Sequence, residues 1–154
     1  MNWRIESIAA EPGVVDTLAA WHHREWGELM APWSLAEARA ELAECVAANG
    51  FPATLVAFDE SGQLAGSVSL VATDAPDFPE YSPWLASLYV APSFRGRGLG
   101  KQLIDALVVH AHKLGFERLY LFTPVSPEIY RRGGWREIGK RPIGDHAVTL
   151  MVHE

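Results

Sequence analysis

The sequence predicts a mixed fold, α/β or α+β, built on one sheet, and three observations carry that prediction. The chain has 154 residues, 49% apolar and 21% charged, the length and balance of one packed domain, read here as residues 1–154. Strand-like and helix-like patterns follow one another in the order β-α-α-β-β-β-α-β-α-β-β. Strands alternate with helices only in the second half, which argues for a mixed sheet.

The elements can be taken in order. Residues from Trp3 to Ile8 form a short strand ahead of the turn Pro12-Gly13. A first helix spans about Val14 to Trp26, with Gly27 as its stop. The second is marked by Ser34 and Glu37, a capping-box spacing, and by Leu35, Ala38, Leu42 and Val46 at helical intervals; Asn49-Gly50 ends it. Strands Thr54 to Phe58 and Leu64 to Val71 form a hairpin through Asp59-Glu60-Ser61-Gly62. The second of them sets Leu64, Val68 and Leu70 on one face and Ser67 and Ser69 on the other. A proline-rich loop with Asp74, Asp77 and Glu80 leads to a central strand, Trp84 to Val90. After a glycine-rich turn, Leu103, Ile104, Leu107, Val108, Ala111 and Leu114 make a helical stripe closed by Gly115. The apolar run Leu119 to Phe122 reads as a strand buried on both faces. Ser126 as cap, Pro127 at the first helical position and Gly133 beyond the end signal a short helix. Trp135 to Ile138 and Ala147 to Val152 are the last strands.

Composition narrows the partners. The net charge of −6 and pI near 5.5 argue against nucleic acid, whose phosphate backbone needs a basic face. No apolar run approaches the ~18 residues of a membrane span, and Arg4 and Glu6 interrupt the stretch that an export leader would need. Cys45 is the single cysteine, so no internal disulfide forms and a cytoplasmic location is the expectation. Cys45 lies in the stripe of the second helix and reads as a packing residue. His110 and His112 point to different helix faces, and His22 and His23 lack further ligands, so no metal is expected. Most of the six tryptophans read as core, and Trp21, Trp26 and Trp33 cluster around the first two helices.

The chemistry concentrates in the turn Arg95-Gly96-Arg97-Gly98-Leu99-Gly100-Lys101. It lies between a strand and a long helix, where free backbone N–H groups and the helix dipole attract an anion. Its glycines allow close backbone approach, and Arg95 and Arg97 suit phosphate oxygens. A Walker A loop fails, because Arg95 and Gln102 stand where it needs glycine and Ser or Thr. The dinucleotide fingerprint fails as well: Lys101 occupies its third glycine position.

What remains is Arg95, Gly98 and Gly100 in the order Arg-x-x-Gly-x-Gly, after the stretch Leu85 to Phe94. Here the chain resembles the GNAT family of N-acetyltransferases, most specifically from Trp84 to Trp135. Tyr130 followed by Gly134-Trp135 resembles a second family element, whose tyrosine sits near the cofactor sulfur. The resemblance implies a mostly antiparallel mixed sheet with splayed central strands and helices on both faces. It also implies acetyl-CoA as acyl donor, held along Leu88, Tyr89 and Val90 and at Gly96 to Lys101. Thr123 stands where many members carry an asparagine against the pantetheine arm. By the same resemblance Tyr130 protonates the departing thiolate, and a primary amine of a small molecule, peptide or protein attacks directly. Trp26 and Trp84 are candidates to line the acceptor pocket, and the loop acids to attract a cationic amine. The base is open among His22, His23, Glu25, Asp77, Glu80 and a water chain. A different acyl-CoA, a non-catalytic CoA sensor and a homodimer are also left open.

Overall fold

The computed structural model describes residues 2–28, 30, 32–74, 78–124, 127–143 and 146–154. Along the chain these are β1 (Arg4–Ser7), α1 (Val15–Trp26), α2 (Leu35–Ala47), β2 (Ala53–Phe58), β3 (Leu64–Val71) and β4 (Trp84–Val90). There follow α3 (Leu99–Lys113), β5 (Leu119–Thr123), α4 (Glu128–Arg132), β6 (Arg136–Ile143) and β7 (His146–His153). The strands form one sheet in the order β1-β2-β3-β4-β5-β7-β6. Every neighbouring pair is antiparallel except β4 with β5.

Helices cover both faces of this sheet. Leu99, Leu103, Ile104, Leu107 and Ala111 of α3 pack on Leu55, Val68, Leu70 and Leu85. On the opposite face Leu18 of α1 and Ala38, Leu42 and Cys45 of α2 pack on Val56 and Phe58. Full burial of a Leu or Ile side chain contributes roughly 1.5–3 kcal/mol, so these two layers supply most of the cohesion. The stripe of α2 is held in register by its cap. Glu37 N–H donates to Ser34 Oγ at 3.0 Å and Ser34 N–H donates to Glu37 Oε1 at 3.3 Å.

Several expectations are corrected. Both faces of β3 are buried, and Leu64 does not share a face with Val68 and Leu70: the register shifts between Ala57 and Phe58, and Leu64 packs with Phe58 under α1 and α2. Conversely, β5 alternates: Tyr120 and Phe122 are only partly enclosed, because loop aromatics and not a helix cover that side. Leu114 ends the α3 stripe half-exposed, since the helix has already closed at Lys113. Strand β1 stops at Ser7, whose hydroxyl accepts from Ala9 N–H and turns the chain. Strand β6 runs to Ile143, five residues past its expected end, along β7. Pro127 caps α4 instead of entering it; Ser126 lies outside the described residues. Among the described residues no helix is long and apolar enough to cross a membrane.

Candidate active site

Two irregularities in β4 open the sheet at its middle. Tyr89 pairs with Ser67 but Ala86 pairs with Ser69, so β4 carries one extra residue in that interval. The bulge falls at Ser87, whose φ of 55° is the one positive value among the described non-glycine residues. Holding such a residue there costs of order 1–3 kcal/mol, a cost the surrounding packing must sustain. On its other edge β4 registers with β5 only through Trp84 opposite Tyr120. Beyond that point the two strands part, leaving the backbone of Leu88 to Val90 without a β5 ladder.

The turn after β4 lies at the mouth of this gap. Phe94, buried and edge-on to Trp3 at 5.6 Å, anchors it. Gly96 and Gly98 adopt φ of 78° and 82°, and a Cβ at either would meet nothing within 4 Å. The requirement for glycine there is conformational, not spatial. Gly98 is the N-cap of α3 and offers no side-chain acceptor, and no acidic residue follows in the first turn. The first intrahelical bond is Gln102 N–H to Gly98 O, so the N–H groups of Leu99, Gly100 and Lys101 point outward without helical partners. Nearby, Arg95 Nε donates to Val90 O at 2.7 Å, Arg97 lies 5.9 Å from the Phe94 ring, and Lys101 pairs with Asp105 at 2.7 Å. This cradle fits a pyrophosphate: it offers uncapped donors and a dipole end, with Arg95, Arg97 and Lys101 carried on the same turn.

Tyr130 approaches from α4. Its backbone carbonyl accepts from Gly133 N–H at 2.9 Å and from Trp135 N–H at 3.1 Å, a turn closed by Gly134 at φ 92°. That turn sends Trp135 into the core, where its ring sits 6.2 Å from Tyr130. Burial pushes the Tyr130 phenol up to about 12, so its proton is retained throughout the neutral range. Ile129, beside it on α4, would touch a Cβ placed on Gly100, which ties α4 to the glycine turn. Thr123 is buried at the end of β5, opposite Thr149.

On the α1–α2 face lies a cavity of about 290 Å³. Ala86 and Ser87 of the bulge form one wall; Glu41, Leu42, Glu44 and Cys45 of α2 form another, and Asp74 lies in the loop after β3. His22 reaches it from α1, bonded at 2.9 Å to Ser67 Oγ, and burial pushes its imidazole down to about 4. Asp74 makes no hydrogen bond or ion pair among the described residues. Burial, and then the charge of Glu41, push its carboxyl up to about 7. Burial raises Glu41 as well, against a hydrogen bond from Trp33 Nε1 at 3.2 Å. Burial raises the Cys45 thiol and keeps it a protonated packing group, against the opposing effect of the bond that Thr54 Oγ1 donates to it at 3.3 Å.

The structure thus brings Leu88, Tyr89, Val90 and the 95–101 turn together along one strand end, with Ile129, the neighbour of Tyr130 on α4, against Gly100. It does not bring Trp84 to the cavity: that indole is completely buried at the start of β4, donating to Tyr81 O at 2.7 Å and packed on Tyr120 and Phe122. Trp26 is half-buried against His22 and Tyr89, at 5.1 and 6.1 Å. Trp21 and Trp33 are likewise only half-buried, at the margin of the core. Glu25 and Glu80 are exposed, His23 sits 6.0 Å from Trp33, and Asp77 lies outside the described residues. No group of three metal-ligating side chains occurs among the described residues. Sequence reading missed Glu41, Glu44 and Ser87. The first two had a signal, since Glu37, Glu41 and Glu44 repeat at helical intervals beside the apolar stripe of α2.

Comparison with known proteins decides the family. The acetyltransferase (GNAT) family model matches residues 16–133. The chain belongs to this family. A mycothiol acetyltransferase from Propionibacterium freudenreichii is 33% identical over 127 residues, covering 79% of this chain. The chain spans only 38% of that relative's length. A GNAT-family acetyltransferase structure from Streptococcus pneumoniae superposes with a TM-score of 0.73 at 22% identity, covering 98% of both chains. A GNAT phosphinothricin acetyltransferase from Sinorhizobium meliloti, solved with acetyl-CoA, gives 0.72 at 20% identity over 99% of this chain and 88% of its own. At such identities these two structures speak to the shared GNAT fold.

Proposed function

We propose that this chain, read as one domain over residues 1–154, transfers an acetyl group from acetyl-CoA to a primary amine. The observation that carries the proposal is the uncapped N-terminus of α3 at the mouth of the β4–β5 gap. When bound, acetyl-CoA supplies the thioester carbonyl that the amine attacks. The N–H groups of Leu99, Gly100 and Lys101 hold the pyrophosphate, with Arg95 and Arg97 adding charge and Gly96 and Gly98 keeping the approach clear. Arg95 then exchanges its bond to Val90 O for phosphate, freeing that carbonyl. Leu88 and Val90 offer backbone groups to an extended arm lying in the gap, and Tyr89 and Thr123 flank it. A backbone N–H directed at the carbonyl oxygen stabilises the charge that develops there. Tyr130, protonated at neutral pH, gives its proton to the leaving sulfur.

The mycothiol acetyltransferase relative favours a small-molecule acceptor over a protein. The reading keeps the chain in the cytoplasm, where acetyl-CoA is available, with Trp26 beside the acceptor. Tyr130→Phe tests it: the substitution should lower kcat about 10²-fold, the usual scale of general-acid catalysis, and leave acetyl-CoA affinity unchanged. Full kcat in that variant would remove Tyr130 from the mechanism. Affinity for CoA without turnover of any amine would turn the assignment to a sensor.

A further inference from the structure

The cavity on the α1–α2 face contains an unused arrangement of charge. Glu41, Glu44 and Asp74 line it, and among the described residues no Lys or Arg does. Among the described residues Glu41 takes one hydrogen bond, from Trp33, and Asp74 takes none. Two of these carboxylates enter from α2 and one from the loop after β3, so negative charge flanks the space from two sides. Thr54, Ser69, Thr73 and Ser87 add hydroxyls, two of them already bonded to each other at 2.8 Å. The volume, close to the ~300 Å³ at which small-molecule pockets begin, suits a compact ligand. The inner wall is the β4 bulge, one residue before Leu88, where the cofactor gap begins.

We propose that this cavity is the acceptor site, that it takes a compact diamine, and that Asp74 accepts the proton from the amine that attacks. The inference rests on the acetyl-transfer reading above and deepens it. The attacking amine must be neutral to react, and of the three carboxylates Asp74 is the least exposed, while Glu41 and Glu44 stand open to solvent. The second ammonium of the ligand faces Glu41 and Glu44, where a neutral amine or an alcohol gains far less. Burial together with the charge of Glu41 places the Asp74 carboxyl near the operating pH, the condition under which a general base is most effective. His22, the remaining titratable group with Cys45 on this wall, is held neutral and bonded to Ser67, so it supplies no counter-charge.

The step balances. Asp74 takes one proton from the bound ammonium and returns it to solvent. The nitrogen lone pair forms the C–N bond as the C–S bond breaks. The second nitrogen proton offsets the one that Tyr130 delivers to the departing sulfur.

The test measures CoA release with 1,4-diaminobutane and with butylamine, in the unaltered chain, Asp74→Asn and Glu41→Gln, with acetyl-CoA binding followed separately. Diaminobutane should exceed butylamine at least tenfold in kcat/KM. Glu41→Gln should raise KM for the diamine about tenfold, close that gap and move the acid limb of the pH–rate profile to lower pH, because the charge that helps raise Asp74 is gone. Asp74→Asn should lower kcat at least 10²-fold and abolish the acid limb of the pH–rate profile near 7, with acetyl-CoA affinity intact. The inference is overturned if acetyl-CoA binds but the two amines react alike. Retention of kcat and the acid limb by Asp74→Asn overturns it equally. Failure of the unaltered chain to bind acetyl-CoA overturns the reading beneath it, and is distinguished by the separate binding measurement.

Discussion

Acid should unfold this chain in part through one imidazole. His22 is buried between α1 and β3 and its folded value lies near 4, against an ordinary 6.5. The group is depressed, so the unfolded chain takes up its proton first. Stability is therefore intact above about 6.5 and falls as pH drops towards 4. At 1.36 kcal/mol per pH unit the completed loss is about 3 kcal/mol, of which about 2 kcal/mol has gone by about pH 5. Asp74 is mostly protonated in that window and offers the imidazolium no compensating charge. The assay is urea unfolding followed by tryptophan fluorescence, at about pH 7.5 and about pH 5, for the unaltered chain and His22→Asn. The variant loses the bond to Ser67 and some packing at both pH values. Its deficit relative to the unaltered chain should shrink by about 2 kcal/mol in acid, because it has no imidazole to protonate. A deficit independent of pH would refute the reasoning and mean that His22 titrates normally in the fold.

Two glycines of the turn should respond in opposite ways. Gly98→Ala forces a Cβ into a left-handed conformation and should cost about 1–2 kcal/mol, a few degrees in Tm, with weaker acetyl-CoA binding. Gly100→Ala should be neutral or stabilising and keep that binding, since its Cβ makes ordinary contacts with the flexible tip of Ile129 at 3.4 Å and with Val90 Cγ2 at 3.9 Å. Calorimetry of both variants, with and without acetyl-CoA, checks the pair. Ser34→Ala should cost about 1 kcal/mol in urea unfolding, and adding Glu37→Ala should cost less than that substitution does alone, because both serve one capping box.

Local rules made much of the fold legible. The capping box at Ser34, the apolar stripe of α3 and the glycine turn each encode their geometry within a few residues. The Tyr130 element was legible only through its resemblance to a family motif; in the fold Gly134 turns the chain so that Trp135 reaches the core. Features set by distant partners were not legible. Trp84 lost its expected place on the acceptor wall because β5 and β7 close around it. The bulge at Ser87 has no local mark, since serine there is held at φ 55° by the pairing of β3 with the residues on either side. Asp74 looked like a solvated loop acid; only the folded chain sets it against Glu41 across a cavity.

The central claim is that the turn from Arg95 to Lys101 binds acetyl-CoA. Thermal unfolding with acetyl-CoA, CoA and NADH, alongside the double variant Arg95→Ala, Gly98→Glu, tests it most directly. At about a hundred times its dissociation constant, acetyl-CoA should add about 2.7 kcal/mol, a rise of roughly 5–10 °C. NADH should add nothing, and the variant, with a carboxylate set at the start of α3, should lose the rise. An unaltered chain that unfolds cooperatively at the same temperature with and without either CoA species would contradict the account.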